Sequence, residues 1–106
     1  MTAQEVAFVL ESLRKRIGEK VFMPVAKQVY FNLNEMKPGT SFDFLKYFKG
    51  DRLEIFFVVA HRYLIDHIDY SFTGDYSSIR RADGAQALAL LTKLKARKET
   101  EIEETT

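Results

Sequence analysis

Residues 51–67 of this 106-residue chain read DRLEIFFVVAHRYLIDH, and the conformation of this stretch decides which fold the sequence predicts. Its centre, LEIFFVV at 53–59, has the density of β-branched and aromatic residues that is typical of a buried strand. Helical spacing also fits, because apolar side chains recur at Leu53, Phe56 (or Phe57), Ala60, Leu64 and Ile68. The length of the stretch and its flanking polar pairs favour a helix. A strand at 53–59 would instead give a different α+β fold.

Two helices and a short third one are predicted before this stretch. The first has a capping-box pattern at Thr2 and Glu5, ends near Gly18, and carries an apolar stripe of Val6, Val9, Leu10, Leu13 and Ile17. The second is predicted to start at Pro24, since a proline needs no N–H partner in a first turn, and its inner stripe is Val25, Val29, Leu33 and Met36. Residues 41–48 are predicted to form a helix of two turns.

A hairpin and a last helix are predicted after the central stretch. Residues 68–72 alternate apolar and polar side chains, as a half-buried strand does. The turn residues 73–75 follow, and 78–81 form the returning strand. The last helix, 85–98, carries an apolar ridge of Leu88, Leu91 and Leu94.

This order of elements resembles the winged helix-turn-helix domains of small bacterial and archaeal DNA-binding regulators. The resemblance covers about residues 24–95. Residues 40–48 (TSFDFLKYF) stand at the positioning helix, 49–51 (KGD) at the turn, 52–67 at the recognition helix and 70–81 at the wing. It implies a mainly α fold with a small β-hairpin and extra N- and C-terminal helices. Residues 1–98 would form the single domain, and 99–106 an acidic, disordered tail.

Composition and charge exclude several classes of protein. There is no cysteine, so disulfide scaffolds, thiolate metal sites and cysteine nucleophiles are ruled out. The absence of a signal-peptide pattern and of a long apolar run predicts a cytoplasmic protein with no membrane partner. The chain has 16 basic and 15 acidic residues, but four of the acids lie in 99–106, which leaves the rest with a surplus of five cations. Such a surplus is compatible with a polyanionic partner.

No pattern of catalytic or metal-binding residues is found. His61 and His67 are six residues apart and would fall on different faces of a helix, so they do not form a metal-binding pair. There is no nucleophile elbow and no glycine cluster that could hold a phosphate. We therefore expect no enzyme activity, no cofactor and no metal.

The resemblance implies that the protein is a sequence-specific double-stranded DNA-binding protein. The candidate DNA-binding cations are Lys46, Lys49, Arg52, Arg62, Arg80 and Arg81. For Arg62 an ion pair with Asp66 is the alternative. Among the aromatic residues, Tyr70, Phe72 and Tyr76 near the hairpin are the candidates for exposure. The apolar ridges of the first and last helices predict a homodimer, which would be a transcriptional regulator or a plasmid or phage partition or replication factor.

The alternative function is a protein–protein interaction module, of winged-helix or other α+β fold, that does not bind DNA. It accounts for the strongly apolar central helix, whose surroundings carry equal numbers of acids and bases. In that case Ile55, Val58 and Val59 would form the surface that contacts a protein partner.

Overall fold

Helices α1 to α4 and a three-stranded antiparallel sheet form the fold in the computed structural model, which describes the backbone of residues 2–105 and the side chains of residues 2–96. The helices are α1 (Ala3–Ile17), α2 (Glu19–Asn34), α3 (Asp51–Asp66) and α4 (Gly84–Thr105). The strands are β1 (Ser41–Phe42), β2 (Tyr70–Phe72) and β3 (Ile79–Arg81), and a 3-10 turn, Phe44–Lys46, lies between β1 and α3. The expectation of a mainly helical chain with a small β element is confirmed.

A single glycine separates α1 from α2. The capping box is present as predicted, with Thr2 Oγ1 accepting from the Glu5 amide at 3.2 Å. Gly18 ends α1 with a φ of 95°, a conformation that residues with a side chain rarely adopt, and α2 begins at the next residue. The prediction that this helix starts at Pro24 is therefore wrong: the glycine reverses the chain at once, and Pro24 lies inside α2.

Helix α3 is the centre of the molecule, and residues 53–59 are helical rather than a strand. Helices α1 and α2 pack against it on two sides. On the third side Phe56 stacks on Phe44 with ring centroids 4.4 Å apart, and Phe57 contacts Phe72 of β2 at 5.8 Å. Its buried side chains are Ile55, Phe56, Val58, Val59, Ala60 and Tyr63.

The apolar side chains of α3 that the sequence left without a partner pack within the chain. Ile55, Val58 and Val59 are buried in the core, so the prediction that they form an exposed surface for a protein partner is wrong. The ridge of α1 is also used internally, because Val6 and Leu13 are buried and the rest of the stripe is partly buried against the same core.

The segment before α3 differs from the helix of two turns that the sequence predicts. Ser41 and Phe42 pair with β3, and this pairing commits their backbone to a sheet. The residues that remain form only the 3-10 turn, in which the Tyr47 amide donates to the Phe44 carbonyl at 3.0 Å; the amide of Phe48, just after the turn, donates to the same carbonyl at 3.0 Å. Both phenylalanines pack against Phe56, so one turn is enough to bury these two rings, while Leu45 and Tyr47 stay exposed.

The sheet has the strand order β1–β3–β2, and the predicted hairpin is its β2–β3 half. Its register aligns Phe42, Ile79 and Phe72 across the three strands on the inner face, towards α3. The next row, on the outer face, aligns Ser41, Arg80 and Ser71.

Helix α4 leaves the hairpin and projects from the body. Leu88 and Leu91 are 66% and 55% exposed. The radius of gyration is 15.8 Å, against about 13 Å for a compact domain of this length. The backbone of α4 continues past the predicted helix end at residue 98 to Thr105, whereas the side chains of 97–106 lie outside the described residues. The expected disorder of the tail 99–106 stays a prediction. In the described part of the chain, no helix combines the length and the apolar character needed to cross a membrane.

Candidate nucleic-acid interface

The outer face of the sheet carries a polar row centred on one arginine. Arg80 of β3 lies between Ser41 of β1 and Ser71 of β2, and all three residues are exposed. The Arg80 guanidinium donates to Gln86 Oε1 of α4 at 3.0 Å and has no carboxylate partner among the described side chains. A cation with a hydroxyl on each side therefore faces solvent.

An open groove of about 450 Å³ lies between this face and α4. Its polar lining includes Ser71, Arg80, Gln86 and Lys93, together with the carboxylate of Asp69. That carboxylate is paired with Arg81 Nε at 3.3 Å. Arginine, lysine, serine and glutamine side chains are the usual donors to the phosphate oxygens of DNA. The groove thus presents a set of donors that suits a sugar–phosphate backbone.

Arg81, although adjacent to Arg80 in sequence, points to the other face. Its guanidinium lies 5.3 Å from the centroid of the Tyr70 ring, donates to the Met36 carbonyl and pairs with Asp69. These contacts tie β3 to β2 and to the chain just after α2. The structure therefore separates the two arginines, and only Arg80 faces solvent with its charge unpaired.

The two lysines before α3 differ in their surroundings. Lys46 Nζ lies 3.3 Å from Asp43 Oδ2, and Asp43 also accepts from the hydroxyl of Ser78, the loop residue just before β3. The hydrogen bonds from Ser78 and Lys46 lower the pKa of Asp43 below its ordinary value. Lys49 is exposed and makes no hydrogen bond or ion pair with a described side chain. The segment before α3 thus carries one paired and one unpaired cation.

The two arginines of α3 lie near opposite ends of the helix. Arg52, in the first turn, donates to Gln28 of α2 at 2.9 Å and stacks over the Phe48 ring. Arg62 pairs with Asp66 at 2.8 Å, which is the alternative that the sequence left open. Because α1, α2 and the sheet cover the middle of α3, these residues do not combine into one exposed basic face.

The histidines are engaged in contacts within the chain. His67 Nδ1 donates to the Tyr63 carbonyl at 2.8 Å, and its ring stacks on the Tyr63 ring at 3.8 Å. His61 Nδ1 donates to the Phe57 carbonyl at 2.6 Å. Among the described side chains, no cluster of three or more residues could hold a metal ion.

Of the three aromatic residues near the hairpin, only Tyr76 is exposed. Tyr70 is buried and donates its hydroxyl hydrogen to the Leu33 carbonyl at 2.7 Å, and Phe72 packs against the core. Tyr76 lies in the loop between β2 and β3, next to Asp75. Hydrogen bonds from Ser77 and Thr73 lower the pKa of Asp75.

Sequence reasoning missed Ser41, Ser71 and Gln86. The alternation of faces along a strand would have found Ser71, because it lies between the inward-facing Tyr70 and Phe72. No such signal exists for Ser41, since a strand of two residues leaves no visible period.

Comparisons with protein-family models, with curated protein sequences and with solved structures return no match. The functional interpretation therefore rests on the geometry described above.

Proposed function

We propose that this protein binds double-stranded DNA through the outer face of its sheet, as a winged helix-turn-helix protein whose positioning helix is reduced to a 3-10 turn. The observation that carries the proposal is the exposed row Ser41–Arg80–Ser71, with Lys93 on the same groove. Donors of this kind bind the phosphates, which supply much of the affinity of a protein for DNA.

The order of the elements supports the same proposal. A short turn, a helix and a β-hairpin follow one another at 44–81, and β1 completes the sheet beside the returning strand. In a winged helix the hairpin lies along the DNA backbone while the preceding helix approaches a groove.

The burial of α3 limits how the protein would read bases. Only the first turn of α3 offers an exposed arginine, Arg52, with the unpaired Lys49 just before it. Sequence readout in the proposed complex is therefore confined to the N-terminal end of α3. The phosphate contacts of the hairpin provide most of the affinity.

We further propose that the DNA-bound form is a homodimer paired through α4. Leu88 and Leu91 lie on one exposed stripe of this helix, and the apolar ridge of α1 is already used in the core. An amphipathic helix in water gains most of its stability from packing that stripe against another element. A dimer of this kind fits the role of a transcriptional regulator or of a plasmid or phage partition or replication factor.

The test of DNA binding is the fluorescence anisotropy of a labelled generic duplex at two salt concentrations. We expect binding at low salt, a steep loss at high salt, and an affinity reduced at least about tenfold by Arg80→Ala, the loss of one charge-assisted hydrogen bond. The matched control is Lys15→Ala, an exposed cation on α1. The absence of binding at low salt, or an equal loss in both variants, would contradict the proposal.

The dimer is tested separately by light scattering during size-exclusion chromatography. Leu91→Glu places a charge on the exposed stripe and is expected to give a monomer. Ala89→Glu places the same charge elsewhere on α4 and is expected to leave the dimer intact. A monomeric unmodified protein would refute the pairing without affecting the DNA-binding proposal.

A further inference from the structure

The loop of the hairpin holds a tyrosine in a backbone conformation that tyrosine disfavours. Tyr76 has a φ of 55°, and it is the only non-glycine residue in the described part of the chain with a positive φ. Glycine or asparagine adopts this conformation at little cost, whereas a bulky residue is strained there. Strain of this kind persists where the rest of the structure enforces it, and it is concentrated at binding sites.

The surrounding loop fixes the backbone of Tyr76. Asp75 Oδ1 accepts from the hydroxyls of Thr73 and Ser77, each at 2.8 Å, and from the Ser77 amide at 3.2 Å. The Tyr76 amide donates to the Thr73 carbonyl at 2.9 Å. The carboxylate of Asp75 is thus committed to holding the turn, and the conformation of its neighbour is enforced.

The Tyr76 side chain is held in place but remains available. Its ring packs against Phe72 with centroids 5.6 Å apart, yet the residue is 55% exposed. Its hydroxyl has no hydrogen-bond partner among the described residues. A rigid aromatic ring with a free hydroxyl is suited to binding, because little side-chain entropy is lost when it makes a contact.

We propose that Tyr76 contacts the backbone of the bound duplex, with its ring packed against a deoxyribose and its hydroxyl donating to a phosphate oxygen. This inference rests on the proposed function. Tyr76 lies in the loop of the hairpin that carries Arg80, with its ring against Phe72 on the inner-face side, so the proposed duplex extends from the outer face across this loop. Tyrosine hydroxyls are among the regular donors to DNA phosphates. A role in stability alone would favour glycine or asparagine at this position, since either relieves the strain.

The first test compares stability with affinity in Tyr76→Gly and Tyr76→Phe. For Tyr76→Gly the melting temperature is expected to be unchanged or raised, since the strain is removed, while the affinity for duplex DNA falls about fivefold, as for the loss of a hydrogen bond and its packing. Tyr76→Phe keeps the ring and is expected to lose about half of that free energy. The control is Phe8→Ala, which removes a 74% exposed aromatic side chain from α1. A Tyr76→Gly variant that binds as tightly as the unmodified protein would overturn the inference.

The second test uses fluorescence, since the chain contains no tryptophan. The emission of a Tyr76→Trp variant is expected to change when duplex DNA is added, and the emission of a Phe8→Trp variant is expected to stay constant. If DNA binds but the Tyr76→Trp emission does not respond, this inference fails and DNA binding stands. If the unmodified protein does not bind duplex DNA at low salt, the proposed function fails first.

Discussion

The two faces of the small sheet carry opposite chemistry on the same three strands. The inner face presents Phe42, Ile79 and Phe72 to the core, and the outer face presents Ser41, Arg80 and Ser71 to solvent. The contrast is sharpest at Arg80 and Arg81, which are neighbours in sequence but have different environments. Two adjacent arginines on one strand therefore need not act together. Arg81 stabilises the fold, whereas Arg80 has no carboxylate partner among the described side chains and can contact a ligand.

The largest expected effect is on the inner face. Ile79→Ala removes a fully buried side chain that lies between Phe42 and Phe72. We expect a loss of about 3 kcal/mol in the free energy of unfolding, because the cavity adds to the lost transfer free energy. Urea denaturation followed by circular dichroism measures this loss. A loss below about 1 kcal/mol would mean that the inner face is not close-packed.

The next effect concerns the inward-facing arginine. Arg81→Ala leaves Asp69 and the Met36 carbonyl without their donor and removes the contact with the Tyr70 ring. We expect a loss of about 2 kcal/mol, in the range of charge-assisted hydrogen bonds at a partly buried site. The same denaturation experiment applies. The double variant Arg81→Ala, Asp69→Asn provides a check of the ion pair. Asp69→Asn should restore part of the lost free energy of unfolding when Arg81 is replaced, but should not stabilise the protein when Arg81 is present.

A smaller effect is expected for the outward-facing arginine. Arg80→Ala should change the free energy of unfolding by less than about 0.5 kcal/mol, as for most exposed residues, whereas the proposed function expects it to weaken DNA binding. Measured side by side, the two arginine variants separate stability from binding. Equal destabilisation by both would remove the distinction between the faces.

The smallest effect is expected at acidic pH, where the loop end of the hairpin depends on the hydrogen bond from Ser78 to Asp43. The pKa of this carboxyl is lowered from an ordinary value of 3.8. The resulting stabilisation is therefore present above that value and is lost as the pH falls through the folded-state pKa. The protection factor of the Ser78 amide, which corrects for the pH dependence of the intrinsic exchange rate, should fall in this range. In Asp43→Asn the exchange should be faster already at neutral pH and should show no such step.

The sequence predicts the helices well where their apolar side chains are periodic. The predicted inner stripe of the second helix (Val25, Val29, Leu33 and Met36) is buried, although Met36 lies just past the end of α2. The helical interpretation of 53–59 is confirmed. Periodicity could not show that α3 is covered on three sides, because that depends on where α1 docks. For the same reason the exposure of Ile55, Val58 and Val59 was predicted wrongly.

The errors at 41–48 and at Pro24 have local causes. β1 has only two residues and exists because β3 lies beside it, so its signal is not local. The start of α2 depends on the unusual φ of Gly18, which a propensity argument for Pro24 does not include. For the candidate site, charge alone selected both Arg80 and Arg81, whereas the alternation from Ile79 would have assigned Arg81 to the inner face.

One oxygen atom joins the sheet to the last helix. Gln86 Oε1 accepts from Arg80 at 3.0 Å and from the Asp83 amide at 3.2 Å, while the Gln86 amide donates to Asp83 Oδ1 at 2.8 Å. The hydrogen-bonding groups that cap α4 thus also hold the guanidinium on the sheet. If a bound anion takes the place of Gln86 as the partner of Arg80, the Gln86 oxygen keeps only its hydrogen bond from the Asp83 amide. Binding of an anion to Arg80 would therefore change the mobility of the first turn of α4. By thermodynamic linkage, a change in the mobility of that turn would in turn change the affinity of the sheet for the anion.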